Sequence, residues 1–369
     1  MADPRLAPIS KLLNSDDLDA IAIVPGSNFK RLFSIDFHLM ERPLLVIVPR
    51  LGEPVAIVPS LEMASFDTVD FPGPVHPWKD EEGYQGAFTS AAENLPQLAN
   101  AKRFGLEAQR MRVFEQMALQ AAFPKARFVD AHGPISSIRL KKSKEEIQNL
   151  KKAIEISEAA LEATLQQVEV GQTEKQIEAI LLNQLFAHGA DGLAFEPIVA
   201  AGDNSAQPHA SARHGYKIQP GDALLFDFGA SWNGYNADIT RTFFVSHVSE
   251  HDRAFYETVL SANRRGRQVS RAGITAHDVD DGVQTVLENS QFASFIKHKT
   301  GHGLGLDVHE APQIMRGNGD VLEAGMVFTI EPGLYREGEC GVRIEDDVVV
   351  TEDGIECLTS FSRDLRVIG

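Results

Sequence analysis

The chain has 369 residues, with 52 Asp and Glu against 35 Lys and Arg and a formal net charge of -17. That balance speaks against nucleic acid or an anionic membrane surface as the main partner, and the length exceeds what one core ordinarily fills, so two domains are expected. No N-terminal segment joins a basic head to an apolar run and a small-residue cleavage site, and no stretch approaches about eighteen apolar residues, so a soluble, cytoplasmic protein with no membrane partner is expected.

Residues 1–133 alternate short apolar strands with helices. Ala20–Val24, Leu44–Pro49 and Val55–Pro59 read as strands, giving an α/β module around a central sheet. Two of its histidines, His38 and His76, fall in no spacing that a metal or nucleophile needs, so the module is read as scaffold and pocket rim. The segment Asp130–Ile135 is a turn-rich link, and a second domain is expected over 134–369. There the basic run Arg139–Lys144 is answered at once by Glu145 and Glu146, the pattern of a solvated helix start. Ser143 and Glu146 make a capping box. Helices are predicted over 144–168, 174–188, 250–271 and 276–289, with hairpins after each pair, so this part is α+β with a largely antiparallel sheet. A helix pair followed by a hairpin occurs twice, at 144–245 and 250–350, which marks two related halves closing around one site. Cys340 and Cys357 need no disulfide in a chain of this length.

Each half carries an acidic hairpin. In the first, Ala223–Ala230 leads through Ser231, Trp232, Asn233 and Gly234 to Tyr235–Thr240; a four-residue loop pairs 230 with 235 and therefore Asp227 with Asp238. In the second, Met326–Glu331 leads through Pro332–Tyr335 to Gly341–Glu345; a five-residue loop at 336–340 pairs 335 with 341 and therefore Glu331 with Glu345. Directly opposed residues share a face about 5 Å apart, and like charges there destabilise a sheet. A shared proton or a bound cation relieves the repulsion. Two such pairs among apolar residues favour cations, and four carboxylates with one or two imidazoles suit hard-to-borderline divalent metals better than a thiolate site would. Two ions about 3.5–4 Å apart form a hydrolytic arrangement.

Candidate imidazoles cluster between His298 and His309, where Gly301, His302, Gly303, Leu304 and Gly305 alternate in a way that lets the backbone pack tightly. With G-x-G-x-G spacing and no preceding strand, a dinucleotide fingerprint is excluded. His309-Glu310-Ala311-Pro312 lacks the second histidine of a zincin. One of His298, His302 and His309 is expected to ligate metal, while the others orient ligands or donate to substrate. His209 sits in a polar loop entering the first acidic hairpin. Arg343, two residues before Glu345, is either a counter-ion to the carboxylates or a donor to substrate. No nucleophile elbow, P-loop or cysteine nucleophile is present, so the chemistry rests on the metal constellation.

In order, Asp227, Asp238, His302, Glu331 and Glu345 resemble the five-ligand dinuclear set of the pita-bread metallopeptidases, the family of aminopeptidase P, prolidase and methionine aminopeptidase. The blocks Asp-Phe-Gly-Ala, Asn-Ala-Asp-Ile-Thr-Arg-Thr, Gly-His-Gly-Leu-Gly-Leu-Asp-Val-His-Glu, Thr-Ile-Glu-Pro-Gly-Leu-Tyr and Val-Arg-Ile-Glu-Asp are similar to that family's motifs. The match spans about 140–369, and residues 1–133 resemble the N-terminal domain of the prolidase, aminopeptidase P and creatinase branch. The resemblance implies a creatinase-like α/β domain followed by a pita-bread α+β catalytic domain with a pseudo-twofold repeat. It implies that Asp227 chelates one metal, that His302 and Glu331 serve the other, and that Asp238 and Glu345 bridge. A hydroxide shared by the metals then attacks the scissile carbonyl, with Glu331 as proton shuttle.

The same resemblance gives His209 and His309 to the substrate and the tetrahedral intermediate, His298 to the pocket, and Arg343 to the arginine before the last ligand. It implies two divalent ions, manganese(II) first, with cobalt(II), iron(II) or zinc(II) as alternatives; proline-containing di- or short peptides as substrates; and a homodimer. Several prolidases hold the proline carboxylate with a basic residue shortly after the histidine matched by His309. Here Gln313 follows Pro312 and the next basic residue is Arg316, which leaves dipeptidase against aminopeptidase open. Two further readings stand beside this one: a C–N hydrolase acting on a small non-peptide amide or amidine, and a non-catalytic pita-bread binding protein, which the retention of all five ligands opposes.

Overall fold

The structure, a computed structural model, describes residues 3–369. The chain divides into two compact units, the first ending at Arg139 and the second running Leu140–Gly369.

In the first unit, β1 (Ala20–Ile23), β2 (Leu45–Pro49), β3 (Val55–Pro59), β4 (Val75–Trp78), β5 (Arg103–Leu106) and β6 (Arg127–Asp130) form one mixed sheet in the order β4-β3-β2-β1-β5-β6. Strands β1 to β3 are buried at every position, the signature of a sheet covered on both faces. Ala20 and Ala22 face one apolar core, while Ile21 and Ile23 face the other. The segment expected as a turn-rich link is instead helical over His132–Ser136, where Asp130 Oδ1 accepts from the His132 N–H at 2.8 Å, and it belongs to this unit.

Four helices shape the second unit: Lys144–Leu165, Glu174–Ala187, Glu250–Val269 and Ala276–Glu288. Ser143, Thr173, Ser249 and Thr275 cap their starts with hydroxyls that accept from the third helical N–H, which is why local sequence located them so closely. After the first helix pair come β7 (Gly192–Leu193), β8 (Ile198–Ala201), β9 (Ala223–Phe228), β10 (Ala230–Trp232), β11 (Tyr235–Asn236) and β12 (Ile239–Val245). After the second pair come β13 (Gly301–Gly303), β14 (Glu310–Ile314), β15 (Val327–Ile330), β16 (Gly333–Arg336), β17 (Cys340–Arg343), β18 (Asp346–Val350), β19 (Ile355–Cys357) and β20 (Val367–Ile368). The sheets run β20-β12-β9-β8 and β14-β13-β15-β18-β19. Each half thus sets three neighbouring strands, β8-β9-β12 or β13-β15-β18, in one order, with a small hairpin inserted between the last two. This is the pseudo-repeat of the pita-bread fold.

The first acidic hairpin differs from its predicted register. Its turn is two residues, Asn233 and Gly234, with φ 52° and 81°, and Trp232 pairs with Tyr235. Positive φ at both central positions matches the strand twist, and Asn-Gly supplies it at low cost. The four-residue loop is therefore wrong by two: Asp227 pairs with Thr240, and Asp238 lies diagonal to it, just before β12. A shift of two keeps the side-chain face, where a shift of one would have reversed it. In the second hairpin Tyr335 does pair with Gly341, and Ile330 with Asp346, so Glu331 and Glu345 lie at matching positions between the two ladders.

The basic run before the helix at 144 also departs from expectation. Lys142 is not on a solvated face: its side chain is 1% exposed and its ammonium bonds Glu310. Neither cysteine is paired. Among the described residues no helix is long and apolar enough to cross a membrane.

Candidate metal centre

All nine side chains singled out in the sequence line one cleft of about 800 Å³: His209, Asp227, Asp238, His298, His302, His309, Glu331, Arg343 and Glu345. Within it, three groups of donors have their ligand atoms all within 4.8 Å of one another: Asp227, Asp238 and Glu345; His302, Glu331 and Glu345; and Asp238, His302 and His309. Asp238, Glu345 and His302 each belong to two of the three groups.

Close backbone packing places His302 at this junction. A Cβ on Gly301 would lie 2.0 Å from the Thr329 carbonyl oxygen, and one on Gly303 would lie 2.0 Å from that of Ala311. Glycines on both sides therefore let β13 seat between β14 and β15. His302 Nδ1 lies 3.1 Å from the Gly303 carbonyl, which assigns the ring proton to Nδ1 and turns the Nε2 lone pair toward Glu331 Oε1 at 3.3 Å and Asp238 Oδ2 at 3.6 Å. Burial, helped by nearby His309, pushes the His302 pKa down to about 3, so the ring is neutral.

The carboxyls are displaced the other way. Burial first, then the neighbouring Glu345 and Asp227, raises Asp238 well above the carboxylate range; burial, Glu331 and Asp227 do the same to Glu345. Glu331 is pushed up to about 7, by burial first and by Asp227, against the opposing charge of Arg343. One oxygen of Asp227, Oδ1, is buried without a hydrogen-bond partner. Lone pairs converging from crowded acids and a neutral imidazole, with an orphaned carboxylate oxygen among them, form a donor set short of positive charge. Divalent cations fit it.

Behind the acids runs an arginine relay. Arg343, its side chain 4% exposed, bonds Asp227 Oδ2 at 2.5 Å, the Tyr335 hydroxyl at 2.7 Å and Thr240 Oγ1 at 3.0 Å. Thr240 in turn donates to Glu345 Oε2 at 2.6 Å. His298 Nδ1 meets the Lys299 carbonyl at 2.7 Å, so its Nε2 accepts from the Tyr335 hydroxyl, also at 2.7 Å. Burial and the Arg343 charge push His298 down to about 4, and burial pushes Tyr335 up to about 12, so both stay neutral. His309 stands with its ring 4.2 Å from that of His302 and nearly perpendicular to it. His209 and His309 are exposed at the cleft.

Tyr335 and Thr240 had escaped the sequence reading. Strand alternation carries the missed signal for Tyr335: Gly333 pairs with Arg343, so Tyr335, two residues on, shares the arginine's face. Thr240 was hidden by the wrong hairpin register.

The chain belongs to metallopeptidase family M24, whose description it matches over residues 148–352; residues 5–141 match the creatinase/prolidase N-terminal domain. The two matches define an M24 metallopeptidase with a creatinase-type N-terminal domain. Among relatives, it is 39% identical to the Xaa-Pro dipeptidase of Pyrococcus furiosus over 231 residues, 63% of this chain and 66% of that protein. Among solved structures, it resembles recombinant prolidase from Thermococcus sibiricus (33% identity, TM-score 0.91, 100% of each chain). It also resembles X-Pro aminopeptidase from Thermotoga maritima (31% identity, TM-score 0.80, 97% of this chain and 100% of the other).

Proposed function

We propose that the protein hydrolyses the Xaa-Pro bond of di- or short peptides at a centre of two divalent cations. The observation that carries this reading is the sharing of donors: Glu345 belongs both to the group with Asp227 and Asp238 and to the group with His302 and Glu331, so neighbouring cation positions have ligands in common. Relatives whose names specify Xaa-Pro cleavage supply the substrate class. Asp227 would hold one ion, His302 and Glu331 would hold the other, and Asp238 and Glu345 would serve both. Manganese(II) is the first choice for an oxygen-rich set with one imidazole; cobalt(II), iron(II) and zinc(II) are the alternatives.

When bound, the ions neutralise the acids, acidify the water that becomes the nucleophile and polarise the scissile carbonyl. The chain's own groups do the rest. Glu331 takes the proton of the attacking water at its carboxylate and returns it to the leaving proline nitrogen. An amide nitrogen is expelled as an amine only once it is protonated, so this delivered proton is what makes proline a leaving group. His209 and His309, exposed at the cleft, orient the substrate carbonyl and stabilise charge developing on its oxygen. Arg343 holds the Asp227 carboxylate in place through its guanidinium, and His298 fixes the Tyr335 hydroxyl on which Arg343 rests. The protein works as a cytoplasmic homodimer, a part of the reading that rests on family resemblance; sedimentation as monomer alone at micromolar concentration overturns it.

The test is to incubate manganese-loaded protein with Xaa-Pro dipeptides and Xaa-Pro-Yaa tripeptides. Cleavage before proline is expected. No cleavage of either class with any of the four metals refutes the reading.

A further inference from the structure

Lys299 and Gln313 line the same cleft from different elements, Lys299 from the segment before β13 and Gln313 from β14. In a chain with an excess of acids, Lys299 has no carboxylate partner among the described residues; its ammonium donates to the Gln313 side-chain oxygen. Gln313 is held in that orientation from behind. Its side-chain N–H donates to the Glu310 main-chain carbonyl at 2.9 Å, and its main-chain carbonyl accepts from the Asn318 side-chain amide at 2.7 Å.

The neighbouring cations are committed. Lys297 pairs with Glu337 at 3.0 Å, and Arg343 is buried against Asp227. Arg316, the basic residue nearest in sequence after Pro312, pairs with Asp281 and Glu288 on the helix Ala276–Glu288. Lys299 is thus the half-buried cation at the cleft with donors left over, since an ammonium has three and the neutral amide takes one. It lines the same cleft as His302, His309 and Glu331.

We propose that Lys299, presented by Gln313, is the subsite for the C-terminal carboxylate of the substrate, so that the protein is a dipeptidase. This rests on the Xaa-Pro reading above. In an Xaa-Pro dipeptide the carboxylate belongs to the residue just beyond the scissile bond. In a tripeptide that place holds a neutral amide and the charge moves outward by about 3.8 Å.

The test compares an Ala-Pro dipeptide with its C-terminal amide in the wild-type manganese enzyme and in three variants. Wild type is expected to show a KM about 10- to 100-fold lower for the dipeptide, the range of one charge-assisted hydrogen bond. Lys299→Met should erase that preference by raising the dipeptide KM, leaving dipeptide kcat and both amide constants within about threefold. Lys299→Arg should retain the preference. Gln313→Glu keeps the lysine but gives it an internal carboxylate, and should mimic Lys299→Met. Equal losses on dipeptide and amide, or a wild type indifferent to the carboxylate, overturn the proposal. Should wild type cleave neither compound, the Xaa-Pro reading fails, and calorimetry still decides the subsite. Proline but not prolinamide should bind wild type, and Lys299→Met should lose proline; equal binding, or no binding of proline, overturns it.

Discussion

Replacing Glu331 by Gln in the metal-free protein should remove part of a pH dependence that crowded acids impose on folding. Burial raises the Glu331 carboxyl from 4.5 to about 7, so between those values the folded chain holds a proton that the unfolded chain has released. Stability contributed this way is present in full below about 4.5, declines as pH rises through the interval, and is gone above about 7. A displacement of that size corresponds to about 3 kcal/mol, and the 16% of the side chain open to the cleft trims it toward about 2. Asp238 and Glu345 are displaced in the same direction and add to the wild-type slope, so the variant keeps a slope of its own. Urea unfolding of chelator-treated protein should therefore show Glu331→Gln gaining on wild type by about 2–3 kcal/mol between about pH 4.5 and 7.5. Manganese, which binds only the deprotonated acids, should stabilise wild type increasingly over the same range and release protons as it binds. Parallel wild-type and variant profiles, or stabilisation by manganese that ignores pH, would refute the reasoning.

Gly303→Ala would place a Cβ 2.0 Å from the Ala311 carbonyl oxygen and push β13 off β14; a loss of at least about 1–3 kcal/mol is expected, and an unchanged thermal midpoint would contradict it. Arg343→Lys offers one ammonium where a guanidinium bonds Asp227, Tyr335 and Thr240 together, so kcat should fall about 10- to 100-fold with manganese content retained. Steady-state kinetics with metal analysis checks it, and an unaltered kcat counts against the relay. Chelation should abolish turnover reversibly and remove the ligand-linked stabilisation, about 2.7 kcal/mol at a hundredfold excess over Kd, restored on adding manganese back. Calorimetric scans with and without metal that superimpose would show that the acids hold no structural cation.

Helix starts were legible in the sequence because a hydroxyl cap and its reciprocal acid or amide lie within four residues, as at Ser143 with Glu146 and Thr173 with Gln176. The doubled helix-pair-and-hairpin pattern and the four acids were legible for a related reason: strand alternation and loop counting are local. The count succeeded at Glu331 and Glu345 and slipped at Asp227, where the Asn233-Gly234 turn chose a two-residue loop. Because the slip was two residues, the acid face survived it.

Tertiary structure alone decided what meets across the halves. Which histidine turns its lone pair to the acids depends on β13 being squeezed between β14 and β15, and no spacing within His298–His309 encodes that squeeze. Lys142 finding Glu310 instead of solvent, and Lys299 finding Gln313 instead of an acid, follow from how the sheet stacks its edges. Sequence periodicity specifies which face a residue occupies; the partner opposite that face is set by packing between elements distant in the chain, where only the assembled core brings their backbones within hydrogen-bond reach.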